Sequence, residues 1–536
     1  MKRLEQLELV LAVIVTVLAF ALHWQCATHM GPLWRDEITS VDVASLPTFN
    51  EIWNNLQYDS YPMFWHCTLR TWIKLGLGSD TGLRLFGFLV GMGIVGMLWI
   101  NARIFKHASP LIALILLELN PTIFYWGDTI RGQGLSLLLS TGIPGVVWLL
   151  LKKPSYKSFF IALGVCGFAV HTQLYNAVLL FATGVTAMAL GCVWRQYRSI
   201  ALIAGMGALC AVSLLPYSTW IQQTGVWVKV ELLPEFTFSW FLARLSEAIG
   251  SLWGMADVCI WAALFLAGAV TVVIGFKRHS KKTGRDDAGI FFLIGGVICF
   301  TGYFAFLKHL SYITYTWHYI PLMGFSALAV EGMLGSSRQK TFVIARLVVG
   351  TALVCLWFPW AWENAGERVT DIDLIANKIE STEKSGDFII VNSWEEGISF
   401  QRYYKGDNAW MTVPPMPVPK FHRYDQMMIS MILPDPTRAV DPILSNIASA
   451  LRAGKQVWLV GGEQFLPDGV KPFALPTAPY SRFGWMNSAY YSMWSEDIGY
   501  FIQSHATNAN VVNIPVDGKV NQYEALPLIV VSGWHD

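Results

Sequence analysis

YPMFWHCTLRTWIKLGL, residues 61–77, is apolar enough to suggest a membrane-crossing helix, yet it carries Arg70 and Lys74 among four aromatic rings. If it spans, every later loop changes side. If it lies flat, the basic residues of the chain fall into order. Lys2 and Arg3 precede the first apolar segment, and Arg103 with Lys106 follow the second. Lys152, Lys153 and Lys157 come next, then Arg195 and Arg198, then Lys277, Arg278, Lys281, Lys282 and Arg285, then Arg338 and Lys340. Every second loop is basic, and basic loops stay in the cytoplasm. Residues 61–77 are therefore expected to form an amphipathic helix in the outer interface, with Trp65 and Trp72 at headgroup depth.

Working outward, eleven apolar segments are expected to span: 9–23, 83–100, 110–125, 134–151, 159–170, 174–193, 200–215, 258–276, 290–306, 318–334 and 342–360. The N-terminus is then cytoplasmic and the tail lies outside. The first outer loop, 25–82, is long for a connector. The first segment has a charged start but no small-residue cleavage site after it, and reads as an anchor rather than a removed signal. The chain has 536 residues, 54% hydrophobic and 14% charged, against roughly 25% charged in a soluble domain. Its net charge of +1 gives no reason to expect a nucleic-acid partner.

From 363 the composition changes. Helices are expected at 371–381 and 442–453, and strands at 387–391, 456–460 and 526–531, around a proline-rich loop at 413–419. This makes a small α/β domain, 363–536, after a membrane domain, 1–362. Gly461-Gly462 lacks the spacing of a nucleotide-binding loop. Trp485, Tyr490, Tyr491 and Trp494 read first as packed core and second as a sugar platform. Of the eight cysteines, Cys26 and Cys67 flank the first loop and could pair; no zinc spacing occurs.

Chemistry-bearing residues gather in the outer loops. Trp34-Arg35-Asp36-Glu37 follows the first segment, and Asp59-Ser60-Tyr61-Pro62-Met63 opens the interfacial stretch. The second outer loop holds Asp128 and Arg131, and the fifth holds Lys308, His309, His318 and Tyr319. Asp36 and Glu37 equally suit a helix N-terminus, where acids are favoured by the dipole. Arg131 equally suits a headgroup anchor. Glu118 lies inside a span, where a carboxylate is costly and must be protonated, paired or functional.

Four pieces together resemble the polyprenyl-phosphate-sugar-dependent glycosyltransferases of the GT-C fold, a class with the protein O-mannosyltransferases and lipid A aminoarabinose transferases. They are Asp36-Glu37; Asp59-Ser60-Tyr61-Pro62-Met63 against the family's Asp-x-His-Pro-Pro; Ser79 to Leu85 against Ser-Glu-x-x-x-Arg-Leu; and Asn120-Pro121 followed by Gly127 to Arg131. Tyr61 and Met63 depart from the family's histidine and second proline, and His318-Tyr319 stands where many relatives have Arg-Tyr. The resemblance implies an inverting transfer of a sugar to an acceptor hydroxyl at the outer face. It implies Asp36 as general base, Glu37 positioning the acceptor or a metal, and Asp59 orienting the acceptor. Arg131 and His318, with Lys308 or His309, would hold the donor phosphate, and Asp128 and Tyr319 would line the substrate site. The implied partners are a polyprenyl-phosphate sugar, membrane lipids and a lipid, glycan or protein acceptor. Some relatives use a divalent metal ion and others none. A bacterial inner membrane suits the size and short loops. The rival readings are a glycan transporter or flippase, which calls for charges along helix interiors, a glycan polymerase or ligase, and a membrane scaffold.

Overall fold

The computed structural model describes residues 2–228, 236–250, 252–278, 286–310, 314–337, 339–417, 420–478 and 487–536. Lys281, Lys282, Arg285, Arg338, Pro419 and Trp485 lie outside these ranges. In chain order the helices are α1 (Lys2–His29), α2 (Arg35–Ser45), α3 (Phe49–Asn55), α4 (Met63–Trp72), α5 (Asp80–Ile104), α6 (Leu111–Glu118) and α7 (Pro121–Asp128). They continue as α8 (Gly132–Lys152), α9 (Tyr156–Thr172), α10 (Asn176–Val193), α11 (Tyr197–Ser213), α12 (Ser218–Val228), α13 (Phe238–Ile249), α14 (Met255–Arg278), α15 (Asp286–Leu310), α16 (Ile320–Leu334) and α17 (Lys340–Ala365). The tail holds α18 (Ile372–Thr382), α19 (Glu396–Tyr403), α20 (Tyr424–Met431), α21 (Asp441–Arg452) and α22 (Asn487–His505). Its strands are β1 (Phe388–Val391), β2 (Ala409–Thr412), β3 (Val457–Val460), β4 (Ala506–Val512) and β5 (Leu528–Trp534).

Two compact units emerge. The first comprises 1–29, 61–219 and 235–366; the second comprises 30–60, 220–234 and 367–536.

Among the described residues of the chain, eight helices are long and apolar enough to cross a membrane, or nine if α6 and α7 count as one bent span. The chain is an integral membrane protein. The expected eleven is not reached by length and composition, and each shortfall has a local cause. The segment at 110–125 breaks into α6 and α7, bent by 70°. Pro121 has no N–H to continue the helix, and Asn120 caps the new start by accepting from Thr122 N at 3.0 Å. The segment at 159–170 becomes α9, only 17 residues long. The segment at 318–334 begins with a 3-10 turn, Thr316–Tyr319, which leaves α16 only 15 residues, nearly all buried within the unit.

Residues 61–77 are not among the helices long and apolar enough to cross a membrane. Helix α4 has ten residues, about 15 Å of rise against the roughly 30 Å of a bilayer core. It ends in a wide turn, Ile73–Leu77, where Gly76 takes φ 86°. Trp65 is not at a headgroup surface as expected: it is buried between Tyr61 and Phe86, with ring centroids at 6.3 and 6.0 Å. Trp72 donates its indole N–H to Gly82 O at 3.0 Å. Cys26 and Cys67 are free thiols, so the suggested pair is not formed.

In the second unit the strand order is β2-β1-β3-β5-β4. The first three are parallel, and β5 runs antiparallel to both β3 and β4. β1 and β3 are buried at every position, as a parallel strand covered on both faces must be. Ile372, Ile375, Ala376 and Ile379 line one side of α18 and close on Ile389, Val391, Phe400, Trp458 and Leu528. Tyr490 and Trp494 are fully buried, so these two aromatics are core. Residues 30–60 belong here too. Val369 N donates to Met30 O at 2.9 Å, and Leu33 N donates to the Tyr403 hydroxyl at 2.6 Å.

Candidate functional site

In the second unit, α2 opens from extended backbone at Trp34, with Arg35, Asp36 and Glu37 in its first turn. The three first-loop acids that the resemblance singles out meet different fates. Glu37 is 0% exposed and accepts from Trp34 N at 3.1 Å, closing the helix start. Asp59 is 2% exposed and accepts from the Ser40 hydroxyl at 2.7 Å, pinning the loop's end to α2. The Asp36 side chain keeps 24% of its surface, and its Oδ1 lies 3.4 Å from Nε2 of His422.

Arg35 pairs with Glu396 and lies 3.3 Å from Glu524. Burial pulls its pKa down, but the charges of Glu524, Glu395 and Asp36 together hold it above the ordinary value. Burial pushes Glu524 up to about 7; Arg35 opposes this, while Asp36, Asp371 and Glu395 add to it. The N-terminus of α2 thus sits in an acid-rich neighbourhood balanced by one guanidinium.

In the first unit, Asp128 is not an open loop residue. It ends α7, and both its oxygens lie 2.8 Å from His23 Nδ1, while His23 Nε2 lies 2.9 Å from Glu118 Oε2. All three are buried. A side chain at Gly91 would overlap both His23 and Asp128, so α5 must present a glycine there. Glu118 is the paired intramembrane acid that its position demands. Arg131 precedes α8 with its guanidinium 4.8 Å over the ring of Tyr61. A side chain at Gly132 would overlap that ring. Tyr61 therefore gives Arg131 an aromatic face to rest on.

His318 lies in the turn ahead of α16, where its Nδ1 accepts from Tyr315 N at 2.8 Å. Burial lowers its pKa to about 4, and the charge of Arg131 lowers it further. At neutral pH it is an uncharged ring with Nε2–H as donor, not a cation. Tyr319 is fully buried, its hydroxyl 3.1 Å from that of Thr314. Lys308 and His309 are exposed in the last turn of α15.

The structure therefore associates Arg131 with Tyr61 and His318, groups Asp36, Glu37 and Asp59 around α2, and assigns Asp128 to a separate buried cluster. Sequence reasoning missed His23 and His422. The first had a signal: a lone intramembrane acid needs a partner, and a histidine at the end of an apolar run is one. The second lay in the aromatic, basic run Phe421-His422-Arg423-Tyr424. Among the described residues no group of three or more His, Cys, Asp or Glu could hold a metal ion, and Glu37 is committed to the helix start.

The chain aligns with the structure of ArnT from Cupriavidus metallidurans bound to undecaprenyl phosphate, at 11% identity over 97% of each chain and a TM-score of 0.51. It also aligns with the archaeal oligosaccharyltransferase AglB from Archaeoglobus fulgidus in complex with an inhibitory peptide and a dolichol-phosphate. There the identity is 9%, over 85% of this chain and 69% of that one, with a TM-score of 0.46. No family profile matches the sequence, and no curated protein matches it. At such identity the first likeness speaks for architecture. This is a polytopic helical membrane protein with a small C-terminal sheet domain, and its fold is GT-C-like.

Proposed function

We propose that this chain is an inverting glycosyltransferase that moves a sugar from a polyprenyl-phosphate donor to an acceptor hydroxyl at the outer face of the membrane. The observation that carries the reading is the likeness along 97% of both chains to a structure that holds undecaprenyl phosphate. A polyprenyl phosphate is a good leaving group, so the transfer needs little acid catalysis. It needs a base for the acceptor proton, worth about 10²–10⁴-fold, and donors where charge grows on the phosphate. Asp36 is the base, because of the three acids that the resemblance singles out, Asp36, Glu37 and Asp59, it keeps the most open carboxylate. The acceptor oxygen attacks C1, the C1–O(phosphate) bond breaks, the configuration inverts, and the hydroxyl proton goes to Asp36. Glu37 and Asp59 hold α2 and the loop in place. Arg131 takes the growing phosphate charge, the neutral His318 donates a hydrogen bond, and Lys308 or His309 helps to hold the phosphate. Asp128 and Tyr319, both buried, have a packing role through His23 and Thr314. The membrane is the bacterial inner membrane, with the N-terminus cytoplasmic and the tail outside.

A second reading, a transporter of polyprenyl-linked glycans, draws on the buried ionisable groups of the membrane unit. Most of these carry a structural partner: Arg346 forks onto Glu8 at 3.1 and 3.0 Å, and Glu331 accepts from Ile112 N and Ala113 N at the start of α6. Incubating membranes that contain the protein with a sugar-labelled polyprenyl phosphate separates the two. Transfer frees the polyprenyl phosphate and moves the label to a new species; transport leaves label and lipid joined.

A further inference from the structure

We propose that His422, from the C-terminal part of the chain, is a positioning residue for the Asp36 carboxylate, so that the exported domain completes the catalytic machinery. This rests on the transferase reading above. Helix α2 carries Asp36 and Thr39 three residues apart, which places both on one face. The imidazole of His422 spans them. Its Nδ1 lies 3.1 Å from the Thr39 hydroxyl oxygen and its Nε2 lies 3.4 Å from Asp36 Oδ1.

The partners fix the tautomer. A carboxylate only accepts, so the nitrogen facing it must carry the hydrogen, and the Thr39 hydroxyl then donates to the bare Nδ1. The reverse tautomer would set a lone pair against the carboxylate. The ring itself is held on its other sides. Tyr424 stacks on it, with centroids 5.7 Å apart and planes at 14°, and buried Trp394 meets it edge-on at 5.9 Å. His422 and Thr39 are both buried.

A separation of 3.4 Å is longer than an ordinary N–H···O bond, and such bonds commonly tighten only when substrate arrives. The consequence is directional. One Asp36 oxygen faces the imidazole N–H, which favours the anion before attack and fixes the carboxylate plane. The other oxygen receives the acceptor proton. His422 gains and loses no proton in the step.

The experiment uses the full-length protein in membranes with a sugar-labelled polyprenyl phosphate, comparing wild type with His422→Ala, His422→Gln and Thr39→Val. We expect His422→Ala to lower kcat about 10- to 100-fold while the donor KM stays within about twofold, a loss typical of groups that orient a reacting residue. Glutamine keeps an N–H near the place of Nε2 and should recover most of the rate. Thr39→Val, nearly isosteric, should fall between wild type and alanine. A wild-type kcat for His422→Ala, or a glutamine variant as slow as alanine, overturns the proposal. A readout independent of turnover separates its failure from that of the transferase reading. In ¹⁵N-histidine spectra of the purified protein, the resonances lost in His422→Gln should show an Nε2-protonated ring, and they should shift in Asp36→Asn. An Nδ1-protonated ring, or no shift in Asp36→Asn, overturns it whatever the enzyme transfers.

Discussion

Asp36, Glu37 and Asp59 share one residue chemistry and have three environments, and the environment decides what each can do. A carboxylate that closes a helix start, as Glu37 does, is not free to take a substrate proton. At Arg131, removing the guanidinium should weaken donor binding while the acid that takes the proton is untouched. Arg131→Ala is expected to raise the apparent KM for the lipid donor about tenfold or more, given about 1.5–3 kcal/mol for a hydrogen bond to a charged group. Steady-state rates over a range of donor concentration check this. Elsewhere in the second unit, Glu463 lies against Ser495 and Asn392, and burial nevertheless pushes its carboxyl up from 4.5 to about 8. Asp42 and Asp497 are raised by burial to about 6, and Glu524 to about 7. Acids raised on folding contribute stability that is complete below their unfolded values and is lost as pH rises through the folded ones. The protein should therefore melt at a higher temperature near pH 5 than near pH 8. Glu463→Gln should narrow that gap by raising the pH 8 value by a few degrees, at roughly 2–4 °C per kcal/mol. Melting curves of both proteins at the two pH values test it. The sequence displayed these acids but not their burial, because burial is a property of the neighbours.

The bend between α6 and α7 is the element on which the membrane unit turns, and its logic was half legible. Asn120-Pro121 marks a break in any helix. What holds the two halves could not be read locally, because His23 lies 95 residues from Glu118 and 105 from Asp128. One imidazole ties both halves to α1. His23→Ala would leave two buried acids facing each other across a cavity, and removing one partner of a buried pair costs about 3–5 kcal/mol. We expect that variant to yield little monodisperse protein on size exclusion, with Gly91→Ala failing in the same way through overlap with the same pair. Other elements were readable in proportion to their apolar pattern. β1 and β3 are continuous apolar runs and were expected within a residue. β4, ATNANVV, is a largely exposed edge strand with no alternation and went unseen. α4 is too short to stand among the spanning helices, in keeping with its reading as an interfacial element, while the burial of Trp65 was not foreseen, because amphipathic pattern does not say whether the apolar face meets lipid or protein.

At the scale of the whole molecule, the chain's architecture was legible from hydropathy and charge, and its division into units was not. Residues 30–60 carry the proposed base, yet they fold with a tail more than 300 residues away. α2 takes contacts from Glu396, His422 and Glu524, all contributed by that tail. Truncation after Gly366 should therefore abolish transfer while the helices still insert, a result checked by membrane fractionation alongside activity. The basic loops predict that reporters fused after Asp536 are active outside the cytoplasm and that those at the N-terminus are active within it. The most direct test of the account is the rate of sugar transfer from a labelled polyprenyl phosphate by wild type and Asp36→Asn at matched amounts of membrane-inserted protein. The account predicts that the asparagine variant loses about 10²–10⁴-fold with donor binding retained. Transfer at the wild-type rate would contradict it.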